Sequence, residues 1–103
     1  MRQAVLRIED LPESALDAAA RFHFEWLPKA RSQLGAAESL ALIFPVAARE
    51  HRGWRLAVVQ DLAREAAPKR VNGVVGDDLR ATDRTTDWLA DAPGITGQLL
   101  DVG

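Results

Sequence analysis

Two histidines, His23 and His51, and one pair of adjacent aspartates, Asp77 and Asp78, are the side chains with the most chemistry to offer. A metal-binding histidine wants a second ligand one helical turn away or an H-E-x-x-H string, and neither histidine has one. His23 therefore reads as a partly buried helix histidine. His51 precedes Arg52 at the start of a long helical pattern and reads as a solvated or capping group. Asp77 and Asp78 follow the end of a strand pattern, the place where open α/β sheets put ligands. Adjacent acids in a turn more often solvate the loop and start the next helix, and that reading is preferred for this pair. Trp26, Trp54 and Trp88 each sit in an apolar helical pattern, as core or interface anchors do.

Composition narrows the setting of these residues. At 103 residues and 48% hydrophobic, the chain is one domain, residues 1–103, with enough apolar material for a core. Its net charge of −2 comes from interspersed acids and bases, with no basic stripe for nucleic acid. The chain has no cysteine, which excludes disulfides and thiolate metal sites and leaves the redox compartment open. No apolar run approaches the ~18 residues of a membrane span, and the N-terminus lacks a signal-peptide core. A cytoplasmic protein without nucleic-acid or membrane partners is the expectation.

The elements that must position these side chains alternate along the chain. Ala4–Ile8 is apolar with a β-branched bias and reads as a first strand. Asp10 and Glu13 stand at capping-box spacing around Pro12, so a helix is expected from Ser14. Leu16, Ala19, Ala20, His23 and Leu27 share one side of it, Phe22 and Trp26 are spaced i, i+4, and Pro28 should kink or restart it. Gly35 is its expected stop. Leu40–Pro45 is a continuous apolar run, as a strand covered on both faces would be. A long helix, a strand over Arg70–Val75 and a polar turn at Gly76-Asp77-Asp78 follow. A shorter helix then ends at Ala92-Pro93-Gly94, and Gln98–Val102 is the last strand. The order β-α-β-α-β-α-β argues for a parallel sheet in an α/β domain.

The long helix, Trp54–Ala67, has an unusually broad apolar side. Trp54, Leu56, Val58, Val59, Leu62, Ala63, Ala66 and Ala67 fill more than half of its circumference, whereas a surface helix needs an arc of roughly 100°. Only Arg55 intrudes, and its stem is long enough to carry the charge out to water. Such an arc predicts two burials, one on the sheet and one on a second helix or subunit.

Leu62-Ala63-Arg64-Glu65-Ala66-Ala67-Pro68, then Arg70-Val71-Asn72 and Val74, resembles the C-terminal half of a short-chain dehydrogenase/reductase, where a helix ending L-A-x-E-x-A-P enters a strand R-V-N-x-V. Asp87-Trp88-Leu89-Ala90, then Thr96-Gly97-Gln98-Leu99-Leu100 and Val102, is similar to the family's closing F-L-A and T-G-Q-x-L-x-V. The resemblance runs from about Ser39 to Val102, with a fainter echo at Phe24-Glu25-Trp26-Leu27-Pro28. It implies a Rossmann-like half-domain: four parallel strands in the order 1-2-3-4, with helices on both faces. The first two helices would lie on one face and the last on the other, after a crossover of opposite hand.

The same comparison implies loss of chemistry. The family binds its dinucleotide over a glycine-rich turn after a first strand, and here the first glycine is Gly35. The family's catalytic tyrosine falls at about Ala48, its lysine at about Arg52 and its serine near Phe44-Pro45, and the chain contains no tyrosine. Arginine does not replace lysine in proton relay. Neither nucleotide cofactor nor family catalysis is expected. The first functional reading is a non-catalytic domain that self-associates or binds a protein. In the family the helix equivalent to Gly53–Ala67 packs in a four-helix bundle across a dimer, which makes Phe22, Trp26, Trp54, Val58 and Leu62 candidate contacts of a homodimer. An intact dehydrogenase is the other implied partner. The alternative reading is a small-ligand binder or unrecognised enzyme whose cleft at the strand ends is marked by Phe44, Pro45, His51, Arg52, Gly76 and Asp77.

Overall fold

The computed structural model describes residues 2–102. Strand β1 spans Gln3–Arg7, helix α1 Ala15–Arg21, and a π-helical turn, Phe22–Trp26, leads into α2, Leu27–Ala36. Strand β2 is Ser39–Phe44. A 3₁₀ turn, Arg49–His51, opens directly into α3, Arg52–Ala66. Strand β3 is Arg70–Val75, α4 is Leu79–Ala90 and β4 is Leu99–Asp101. The four strands form one parallel sheet in the order β1-β2-β3-β4, as expected. The strand ends differ from the sequence reading by one residue. Pro45 falls outside β2, since it has no N–H to give to a ladder.

Side-chain alternation assigns the two faces. Leu6 and Ile8, Leu40, Leu42 and Phe44, Val71 and Leu99 join Phe22, Ala30, Leu34, Val58, Val59 and Leu62 in the larger core. Ile43 and Val74 turn the other way and pack with Leu89 of α4 in a smaller one. Helices α1, α2 and α3 thus share one face, and α4 alone covers part of the other. With strand order unbroken, α4's change of face gives the last crossover the opposite hand to the first two. Val5 of β1, 45% exposed, marks the thinly covered part of that second face.

The first helical region departs from the sequence reading. The N-cap is Ser14, whose hydroxyl accepts from the Asp17 N–H, while Asp10 turns the chain with φ 58°. The side grouped from the sequence is split: Leu16 is 85% exposed and Ala20 and His23 are exposed, while Ala19 and Leu27 are half-buried, and Phe24 beside them is also 85% exposed. The buried series is Ala18, Phe22, Ala30 and Leu34, with Trp26 half-buried. Five positions at four-residue spacing drift by about 40° per step on an α-helix of 3.6 residues per turn. The wider π turn takes up part of that drift, and Pro28 sits harmlessly in the first turn of α2. Gly35 lies inside α2, which ends one residue later.

Helix α3 keeps its apolar arc inside one chain. Val58, Val59, Leu62 and Ala63 are buried, and so is Arg55. The sheet takes one row of the arc, while the groove shared with α2 and the π turn takes the other. Across that groove Arg31 and Glu65 make a two-point ion pair at 2.9 and 2.8 Å. Of the two covers expected for the second row, a second helix or a subunit, α2 and the turn before it supply the first. Among the described residues no helix is long and apolar enough to cross a membrane.

Candidate functional site

The end of the sheet where β3 and β4 begin is closed by hydrogen bonds. Arg70 donates to the carbonyls of Leu89, Ala90 and Ala92, at and just past the end of α4, where cationic donors are favoured. Asn72 is 2% exposed. It donates through Nδ2 to the Ile95 carbonyl at 2.9 Å and accepts from the Gln98 N–H at 3.1 Å. Thr96 Oγ1 accepts from the Val71 N–H. Gly97, at φ 72°, donates from its backbone to the Val71 carbonyl at 2.7 Å. Only glycine adopts that conformation at little cost. Arg70-Val71-Asn72 and Thr96-Gly97-Gln98, distant in sequence, are one interlocked clasp. The largest hollow among those considered, about 480 Å³, also lies at this end. Arg70 is already spent in its wall, as are Gln3 and Arg2, which hold the Thr86 and Ala36 carbonyls.

The C-terminal ends of the strands are finished differently. Phe44 is fully buried and packs on Phe22 and Trp54, ring centroids 6.0 and 5.9 Å away. It belongs to the core rather than to the cleft. Pro45, Gly76 and Asp77 line a hollow of about 320 Å³ with Arg7, Asp10 and Leu79. Gly76 is required there by packing, since a Cβ would stand 2.8 Å from Val102 Cγ2. Asp77 Oδ1 accepts from the Val46 N–H at 3.0 Å and latches the loop after β2. Its neighbour Asp78 caps α4, accepting from the Arg80 and Ala81 N–H groups. The loop-and-cap reading of this pair therefore holds.

His51 and Arg52 line a second hollow of about 210 Å³ on the other side of that loop. Of the six expected cleft residues, Phe44 is thus in the core, Gly76 and Asp77 line one hollow and Arg52 another, while Pro45 and His51 meet in a third, of about 390 Å³, beside the same loop. His51 is buried, not solvated. Its Nε2–H donates to the Glu13 carbonyl at 2.9 Å and its Nδ1 accepts from Trp54 Nε1–H at 3.2 Å. Indole only donates, so this pair of bonds selects the neutral imidazole with its proton on Nε2. His51 ties the segment before α1 to the start of α3. Arg52 donates to Asp101 Oδ2 at 3.0 Å and to the Leu99 carbonyl at 3.2 Å.

Arg55 is the residue that sequence reasoning misplaced. It is 3% exposed, where its stem was expected to carry the charge to water. The helix wheel has no way to show that the loop after β2 folds back over α3. One terminal nitrogen, Nη1, donates to the Pro45 carbonyl at 2.7 Å. The guanidinium carbon stands 4.9 Å from the Phe44 ring centroid and 5.7 Å from that of Trp54. Its Nε is buried with no partner, and none of the ion pairs among the described residues includes it. Burial pushes its pKa down from the ordinary arginine value. Arg55 lines both hollows beside the loop. Arg49, Arg52 and Arg55 recur every three residues in the sequence, but nothing in that spacing marks Arg55 as the buried one.

The candidate interface residues are placed as follows. Phe22, Val58 and Leu62 are buried within one chain. Trp54 is half-buried in the aromatic cluster with Phe22 and Phe44. Trp26 is half-buried, with its Nε1 lacking a partner and Lys29 Nζ 4.5 Å above its ring. Among the described residues no group of three or more His, Cys, Asp or Glu could hold a metal.

A family model described as "short chain dehydrogenase-like protein" matches residues 6–102. No curated protein and no solved structure matches the chain.

Proposed function

The chain belongs to the short chain dehydrogenase-like family, and from that premise we propose that it is a non-catalytic member which acts by self-association. The observation that carries the first half is the use made of the family's catalytic positions. Phe44 is locked in the core, Ala48 has no functional group, and Arg52 is bonded to Asp101 and the Leu99 carbonyl. No group stands ready to pass a proton to or from a substrate hydroxyl. Hydride chemistry also needs a cofactor, and none of the three strand-to-helix turns among the described residues carries the glycine-rich string that a pyrophosphate requires.

Self-association is supported by the outer side of α1 and the π turn. Leu16 and Phe24, each 85% exposed, are far more open than large apolar side chains usually are in a stable monomer. They lie on the same helical region as Phe22 and Trp26, two of the candidate contacts from the sequence, but on its outer surface. A two-fold contact would cover this side with its own copy. The test is light scattering at ~100 μM, a concentration that populates contacts of micromolar affinity. A dimer that Phe24→Asp converts to monomer supports the reading. A monomeric unmutated protein contradicts it. Val58→Asp is not a usable probe, because Val58 is core and a buried unpaired carboxylate would unfold the chain. Titration with NAD(H) and NADP(H) tests the other half, and binding of either nucleotide with micromolar affinity would contradict it.

A further inference from the structure

We propose that Arg49, Arg52 and Arg55 form a binding subsite for the oxyanion group of a small ligand, phosphate or carboxylate, in the hollow beside the ends of β3 and β4. The inference is independent of self-association, which concerns a different side of the molecule. It starts from Arg55. A guanidinium taken out of water carries a heavy desolvation cost unless an anion and a full set of acceptors meet it. Arg55 is 3% exposed, has one carbonyl acceptor at 2.7 Å, an idle Nε and no paired carboxylate among the described residues. Stacking on Phe44 and Trp54 recovers part of the cost, and it also holds the guanidinium plane in place.

The surroundings point to the same chemistry. In a chain with a net charge of −2, this hollow gathers three arginines against the single acid Asp101. Asp101 is already engaged by Arg52 in a pair that is half-exposed on the arginine side, so the pair is weak and exchangeable. Neither the 3₁₀ turn at Arg49 nor α3 has a side-chain N-cap. The N-terminal N–H groups and the helix dipole therefore add to the positive field. The acids Asp10, Glu13 and Glu50 line the adjoining hollow, across Ala47-Ala48. They leave Arg55 between an acidic side and a basic one without pairing with it. A volume of about 210 Å³ lies below the usual range for drug-sized ligands and suits a small acid or a phosphate group, not a dinucleotide. Planar guanidinium groups are the natural recognisers of both.

The experiment is thermal melting of the full chain with sodium phosphate, and separately sodium malonate, each against sodium chloride at matched ionic strength. The expected result is a Tm rise with one of the two, roughly 5 °C once the anion exceeds its dissociation constant about tenfold. Phosphate names a phosphoryl ligand and malonate a carboxylic acid. The rise should disappear in Arg55→Met, and shrink at least several-fold in Arg49→Ala and Arg52→Ala, whose exposed side chains leave the fold intact if Arg55→Met does not fold. No rise with either anion overturns the proposal. So does a rise that survives unchanged in the arginine variants, because the anion then binds elsewhere.

Discussion

At the start of β3 and β4, Arg70, Asn72, Thr96 and Gly97 bond to one another's segments until the polar groups at that end are nearly all spoken for. At the far end of the same strands, Arg55 is buried with an idle nitrogen, and two hollows open beside the loop after β2. Both ends contain arginine, and what separates them is the acceptors each arginine finds. Arg70 finds three carbonyls at and just past a helix terminus, so its charge completes a structure. Arg55 finds one carbonyl and two aromatic rings, so its charge is left available. The R-V-N and T-G-Q strings that carry the family resemblance thus serve the fold in this chain. The anion subsite proposed above lies at the opposite end, where open α/β sheets place their ligands.

Breaking the clasp should have the largest effect. Asn72→Ala removes two bonds from a buried side chain and leaves the Ile95 carbonyl and the Gln98 N–H to find other partners. It should cost about 2–3 kcal/mol, read as a lower urea midpoint with an unchanged slope. A loss within error of zero would show the clasp to be idle. Arg70→Ala comes next, at about 1.5–2 kcal/mol, since charged donors to a helix terminus exceed neutral ones. Its effect should be less than additive with Asn72→Ala in a double-mutant cycle, because both hold the segment after α4. At the other end Arg55→Met should change stability by no more than about 1 kcal/mol, in either direction, as replacing a buried charge by an apolar chain often does. A loss as large as that of Asn72→Ala would erase the contrast between the ends.

The smallest effect belongs to the Arg31–Glu65 pair on the α2–α3 surface. The bond and charge of Arg31 hold Glu65 below its ordinary carboxylate value, and Glu65 in turn raises Arg31. A lowered carboxylate stabilises above its unfolded value and loses that contribution as pH falls through the folded one. The urea midpoints of the unmutated protein and Glu65→Gln should therefore differ slightly at neutral pH and converge below about pH 4. A difference that persists in acid would assign it to packing.

How much of this was legible in the sequence follows from where the information lies. The continuous run Leu40–Phe44 and the string Arg70–Val75 announce buried strands by themselves, so a parallel sheet could be read from the pattern, while its order came from the family resemblance. Asp78 sits one residue before a helix, and a cap needs nothing more distant. Arg55 was illegible by the same logic, because its burial depends on the Pro45 carbonyl folding over α3, ten residues away in sequence. The inner side of the first helical region was missed because its buried positions, Ala18, Phe22, Ala30 and Leu34, include small residues that an apolar pattern does not single out, while the large Leu16 and Phe24 face out. Helix α3's broad arc was read correctly as two burials, but a wheel cannot say that α2 of the same chain provides the second.

The contrast between the ends is tested most directly by backbone amide shifts of the labelled protein during titration with inorganic phosphate and, in a separate arm, malonate. The account predicts that one of these anions moves resonances of residues 47–55, Val75 and 99–101, while Arg70–Asn72 and Ile95–Gln98 stay still. Perturbations centred on the clasp, or spread evenly over both ends, or absent with both anions, would contradict it.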